Sequence, residues 1–271
     1  MNDRWRCRAV MLCLTGAMAM PALVSARDVV PHDLGDALPL PMPDSLPGVL
    51  AGERQVRPVA EYVIPAGPHH PTGLTGIDVS HYQGSIDWAD VALDPSVRFA
   101  YVKATEASGL KDSHLERNLR GARMARVPVG VYHFFSPTAP VSEQLRNFLG
   151  NVKPQDTDLI PIVDVEKRGR TSAETFNRRL MDFLGEVEKA YGVKPIIYTY
   201  MNFYNRYMVG QYGQYKFMIA SYSEDVPQLL DNPQMVLWQF TDSGRVGGVR
   251  THVDRSRFMD RYTLADIMLH R

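Results

Sequence analysis

Apolar residues gather in eight short runs in the last three quarters of the chain, separated by polar segments. The runs cover 75–79, 97–103, 127–134, 159–165, 194–199, 216–221, 235–240 and a weaker one at 251–253. Each is rich in Val, Ile, Tyr or Phe. Several are apolar without interruption, the pattern of strands buried on both faces. Helical periodicity lies between the early runs. It is clearest from 171 to 191, where Phe176, Leu180, Phe183, Leu184, Val187 and Tyr191 recur at helical spacing. Thr171 and Glu174 fit a capping box at its start, and Gly192 supplies a stop. Shorter helices are expected at 112–126 and 142–152.

Strand–helix alternation within one domain points to a parallel barrel or a doubly wound sheet, and eight strands favour the barrel. The last three strands start only about 20 residues apart, too close for a helix and two loops each time. The expected fold is therefore α/β, an irregular TIM-like (β/α)5(β)3 barrel over residues 73–271. Its first five strands are backed by helices and its last three almost bare. Chemistry in such a barrel gathers at the C-terminal ends of the strands.

The first 72 residues read differently. Arg4, Arg6 and Arg8 precede an apolar stretch at 9–24 and the small residues Ser25 and Ala26. This is the layout of a secretory signal peptide cut near Ala26, with an N-terminal membrane anchor as the alternative. Nine prolines fall between residues 27 and 72, which break regular structure and suggest an extended linker. His69 and His70 sit there, where solvation is the simpler reading.

Composition narrows the chemistry. The chain has 271 residues, 45% hydrophobic, and its 30 basic and 30 acidic residues cancel, which removes the electrostatic footprint of a nucleic-acid binder. Both cysteines, Cys7 and Cys13, fall in the expected leader, so the exported domain, periplasmic or secreted, relies on an ordinary core. A monomer is expected, with no membrane contact beyond export.

Acids and aromatics stand where the strands end. Asp78 closes the first, Glu106 follows the second, Tyr132 and His133 end the third, and Asp164 and Glu166 the fourth. Tyr198 and Tyr200 lie on the fifth, Trp238 and Gln239 on the seventh, and Asp254 on the eighth. Carboxylates for proton transfer with aromatic faces for pyranose rings suit a sugar site. Residues two apart on a strand share a face about 6.6 Å apart, so Asp164 and Glu166 should raise each other's pKa, as a general acid near neutrality requires. An isolated D-x-E could equally cap a helix or bind a base. Here a wholly apolar run precedes it, and two further acids end strands that become neighbours on closure.

No G-x-S-x-G elbow, H-E-x-x-H, Walker loop or dinucleotide fingerprint is present, and no cofactor or metal is expected. His81 and His133 lack an evident third ligand, so hydrogen-bonding roles fit them better. The run from Met201 through Tyr204, Tyr207, Met208 and Tyr212 to Tyr215 is either a glycan-contacting loop or mixed core and surface.

G-I-D-V-S-H-Y-Q-G from Gly76, A-Y-V-K-A-T-E from Ala100, G-V-Y-H-F from Gly130, P-I-V-D-V-E from Pro161, I-I-Y-T from Ile196, L-W-Q-F from Leu237 and the late Val253-Asp254 together resemble glycoside hydrolase family 25, the lysozymes that act as N-acetylmuramidases. The resemblance spans about Gly76 to Phe258. It implies hydrolysis of the β-1,4 bond between N-acetylmuramic acid and N-acetylglucosamine in peptidoglycan glycan strands. It further implies Glu166 as general acid, Asp164 as partner of the substrate's 2-acetamido group, and Asp78 and Asp254 as acids that hold substrate and acid in place. Tyr132, His133, Tyr198, Trp238, Gln239 and Glu106 are the candidate substrate contacts. Ala107 stands where the family commonly has Gly, Leu115 where it has Phe, and Phe240 where it has Tyr. A chitinase-like hydrolase and a non-catalytic glycan-binding barrel are the alternatives.

Overall fold

The computed structural model describes residues 75–259 and 261–270; the expected leader and Pro-rich linker lie outside them. Among the described residues nine strands and five α-helices follow in the order β1 (Thr75–Val79), α1 (Trp88–Leu93), β2 (Val97–Glu106), β3 (Leu110–Lys111), α2 (Leu115–Met124), β4 (Val129–Phe134), α3 (Val141–Asn151), β5 (Ile162–Asp164), α4 (Ala173–Tyr191), β6 (Ile196–Tyr200), α5 (Met201–Tyr207), β7 (Lys216–Ala220), β8 (Gln234–Gly244) and β9 (Val253–Phe258). Eight strands close in the order β1-β9-β8-β7-β6-β5-β4-β2, with β1 pairing β2 and the short β3 added to the end of β2.

The eight apolar runs all become strands. β1, β2, β4, β5, β6, β7 and β8 follow one another in parallel register. β9 instead runs antiparallel to both β8 and β1. The physical reason is the short connection from Gly244 to Val253: a parallel return needs a crossover of a dozen or more residues. The chain therefore turns back at the same rim, and Asp254 stands at the start of its strand rather than at the end.

Alternation along the strands sorts the core into two layers. Phe99, Tyr101, Ile162, Ile196, Met218, Leu237 and Phe258 fill the barrel. Ile77, Val102, Val131, Val163, Ile197 and Ile219 belong to the outer layer with the helices. Two glycines make the aromatic filling possible: a Cβ at Gly76 would collide with the Phe99 ring, and one at Gly130 with Tyr101. The 3-10 turn Leu264–Ile267 closes the floor, where Ile160 N donates to Ile267 O (2.8 Å) and Leu269 N to Asp158 O (2.8 Å).

α4 buries all six residues of its predicted apolar stripe, each contributing about 1.5–3 kcal/mol. Its cap is Ser172, whose hydroxyl accepts from Thr175 N, one residue later than the expected box. The Tyr-rich run after β6 resolves as mixed core and surface: Tyr204, Met208, Tyr212 and Tyr215 are buried, while Met201 and Tyr207 are half-buried.

Candidate active site

A cleft of about 200 Å³ opens at the rim where the parallel strands end. It is lined by Asp78, Asp164, Glu166 and Asp254, together with Tyr132, Tyr198, Gln239 and, among others, Lys103, Tyr200 and Tyr222. The four expected acids thus come together from β1, β9 and the end of β5. Asp78 and Asp254 are direct partners across the β1–β9 pair. Asp164 sits in register between Phe134 of β4 and Tyr198 of β6, and Glu166 follows two residues later.

Burial governs the charge state of this cluster. It lifts the Asp78 carboxyl to about 6, with hydrogen bonds from Gln239 and Ser256 pulling back. Burial and then the charge of Asp78 bring Asp254 to about 7. Asp164 is pushed well above the ordinary carboxylate range by burial and then by Glu166. Its Oδ1 is buried without a hydrogen-bond partner among the described residues. Glu166 is raised by burial, against the ammonium groups of Lys167 and Lys103 and a hydrogen bond with Asp164. Two carboxyls so placed titrate as a pair rather than as independent groups.

A hydrogen-bond chain fixes the second pair of acids. Tyr198 and Tyr222 both donate to Gln239 Oε1 at 2.9 Å. With its carbonyl occupied, Gln239 presents Nε2 to Asp78 Oδ2 at 3.1 Å, and Ser256 Oγ donates to the same oxygen at 3.0 Å. Gln239, expected to touch substrate, is 3% exposed and turns most of its amide toward protein groups.

Two candidate contacts fall on the other face of their strands. His133 lies between the cleft-lining Tyr132 and Phe134 and therefore points outward. There it is fully buried, stacked on Phe183 at 4.8 Å and bonded to Thr105 Oγ1 at 2.7 Å. Burial pushes its imidazole down to about 4, so it is neutral. Trp238 precedes Gln239 and points away for the same reason. Its Nε1 donates to Ser221 O (2.8 Å), Arg257 lies 3.9 Å over its ring, and it is 1% exposed. Neither reaches the cleft.

Glu106 holds a third position. A bulge between Lys103 and Thr105 inserts an extra residue against β4, so Thr105 meets His133 on the outer face. Glu106 ion-pairs with Lys103 at 2.6 Å and acts on Asp164 and Glu166 through its charge. Lys103, Tyr200 and Tyr222 also line the cleft without having been singled out as contacts. The period of two could have found Lys103 from Tyr101 and Tyr200 from Tyr198. Tyr222 lies past the end of β7, where no periodicity reaches.

A closed barrel whose open rim holds clustered carboxyls of raised pKa among tyrosines is the architecture of a glycoside-cleaving enzyme. The family profile "Glycosyl hydrolases family 25" matches residues 77–249. The chain is 38% identical over 210 residues to the protein YegX of Escherichia coli (strain K12), covering 74% of this chain and 75% of that one. It is 30% identical over 206 residues to Lysozyme M1 of Streptomyces globisporus, covering 71% and 70%. The crystal structure of the bacterial lysozyme from Streptomyces coelicolor superposes with a TM-score of 0.65 at 30% identity, covering 72% of this chain and 95% of that one. The chain belongs to glycoside hydrolase family 25 and is a glycoside hydrolase of the lysozyme type.

Proposed function

We propose that the enzyme is an N-acetylmuramidase, cutting the β-1,4 bond between N-acetylmuramic acid and N-acetylglucosamine, with Glu166 as general acid. The observation that carries this reading is the Asp164–Glu166 pair in the cleft, both carboxyls raised by burial and Asp164 further by the charge of Glu166. In the reaction the substrate's acetamido carbonyl oxygen attacks the anomeric carbon as Glu166 delivers its proton to the departing glycosidic oxygen. Asp164 Oδ1, buried without a partner among the described residues, accepts the acetamido N–H. That hydrogen bond favours ionised Asp164 and leaves Glu166 as the protonated partner. Water then opens the oxazolinium ring and gives its proton to the Glu166 carboxylate. Asp78 and Asp254 hold the sugar opposite the pair. The pattern is that of the substrate-assisted glycosidases.

Mass spectrometry of digested peptidoglycan tests the bond assignment: the new reducing ends should be N-acetylmuramic acid. Reducing ends on N-acetylglucosamine, or release from chitin at a comparable rate, would favour the chitinase-like alternative. NMR of the first product should show the retained anomer. The basic start and apolar stretch of the first 26 residues support export to the periplasm or beyond, where the wall lies.

A further inference from the structure

Beyond their paired acids, β1 and β9 run into the walls of a second groove. On one side the chain continues from Asp78 through the turn His81–Gln83 to Ser85 and Ile86. On the other, Val249 and Arg250 lie four or five residues before Asp254. Asp87 N donates to Gly248 O (2.9 Å), and Gln83 Nε2 to His252 O (3.2 Å), which ties the walls together. α2 closes the side with Arg117. The groove has a volume of about 770 Å³, against about 200 Å³ for the cleft.

Its charge is mixed where the cleft's is acidic, with two arginines and two aspartates in the lining. Arg117 spends its hydrogen bonds on neutral acceptors, Ser85 Oγ at 3.0 Å and Gly84 O at 2.5 Å. No ion pair with a carboxylate engages Arg117 or Arg250 among the described residues. Arg245 stands next to them, donating to Arg250 O at 3.5 Å and facing His252 Nε2 at 2.8 Å. Of the two acids in the groove, Asp87 caps α1 through Ala89 N and Asp90 N, which leaves exposed Asp90 as the free one. Ile86, Trp88 and Val249 supply an apolar lining.

Two guanidinium groups and one carboxylate without an ion pair among the described residues, set in an apolar lining, match a short peptide that carries several carboxylates and one amine. We propose that this groove binds the peptide stems of peptidoglycan, Arg117 and Arg250 taking stem carboxylates and Asp90 the free amine of the diamino acid. The inference rests on the peptidoglycan reading above. Its physical logic is separation of charge: the glycan, uncharged where its lactyl carboxyls are amide-linked to stems, tolerates the acid-lined cleft, whereas anionic stems are repelled there and drawn to the arginines of the groove. The two strands that carry Asp78 and Asp254 hold cleft and groove in fixed relation.

The test uses the full chain and two substrates, intact peptidoglycan and glycan strands freed of stems by an N-acetylmuramoyl-alanine amidase. Arg250→Glu is the main variant, because that side chain is exposed and holds no hydrogen bond among the described residues; Arg117→Ala is the second. For each, KM on intact peptidoglycan should rise about fivefold with kcat unchanged, while both parameters on stem-free strands stay put. Titration of the wild type with the tripeptide alanyl-γ-glutamyl-diaminopimelate should show binding that Arg250→Glu weakens and added salt screens. Absence of tripeptide binding, or equal effects on the two substrates, overturns the proposal. A wild type that binds tripeptide but cuts neither substrate counts against the muramidase reading alone, since the titration needs no bond cleavage.

Discussion

Gln239 Nε2 donates to Asp78 Oδ2 at 3.1 Å, and the two tyrosines that occupy its carbonyl leave the amide no other orientation. A reversed amide would set two oxygens against each other and leave the tyrosine hydroxyls facing N–H groups. The motif residue is therefore a positioning residue for Asp78. Tyr222→Phe removes one of the two donors from a side chain that is 38% exposed, so the fold should survive. The expected result is a fall in kcat of about tenfold and an upward shift in the pH limb set by the Asp78–Asp254 pair, read from kcat/KM across pH. A change in KM alone would assign Tyr222 to substrate contact instead.

Glu166→Gln keeps the shape of the acid and removes its proton. Lysis should fall by about 10²–10⁴-fold while glycan binding persists, measured by turbidity loss and co-sedimentation with cell walls. Asp164→Asn should also reduce kcat. Because the two carboxyls titrate together, this variant should also change the pH dependence of kcat.

The raised carboxyls make a signed prediction for stability. Asp78 and Asp254 titrate at about 6 and about 7 when folded, above the ordinary carboxylate value of the unfolded chain. The folded state therefore binds protons more tightly, and their contribution to stability is complete below about pH 4 and lost as pH rises to about 7. Asp254→Asn should gain about 1–2 kcal/mol at pH 7.5 and much less at pH 4, at the expense of activity. Thermal melts of variant and wild type at the two pH values check this.

Ala107 sits at φ 47°, in the left-handed region that disfavours a Cβ, and its N–H donates to Phe134 O at 3.0 Å. A glycine at this position would adopt the same backbone without that cost. Ala107→Gly should stabilise by about 1 kcal/mol, a rise of a few degrees in Tm, with catalysis unchanged.

Trp238→Ala should act on stability and not on KM. The ring is buried beneath Arg257, so truncation should cost about 3–5 kcal/mol in chemical denaturation.

Local pattern was enough to reveal the strands, the three longer helices and the positions of the four acids, because buried strands and amphipathic helices need apolar residues at fixed periods. It also implied the missing helices near the end, from spacing alone. The direction of β9 was not legible: only closure against both β8 and β1 shows that the chain turns back and meets Asp78 with Asp254 from the opposite end. The face of each side chain was partly legible. The period of two separates Tyr132 from His133 and Gln239 from Trp238 once one member of each pair is known to face the cleft, yet which member does so depends on the register of the whole barrel. The bulge after Lys103, which sends Thr105 outward while Glu106 ion-pairs with Lys103, breaks the period without a local signal. Tyr222 had none either, since a loop residue is placed by the strands it connects. The sequence by itself determined which residues could be buried and which acids could meet. Tertiary structure decided which of them share the cleft, because facing, register and closure depend on every strand at once.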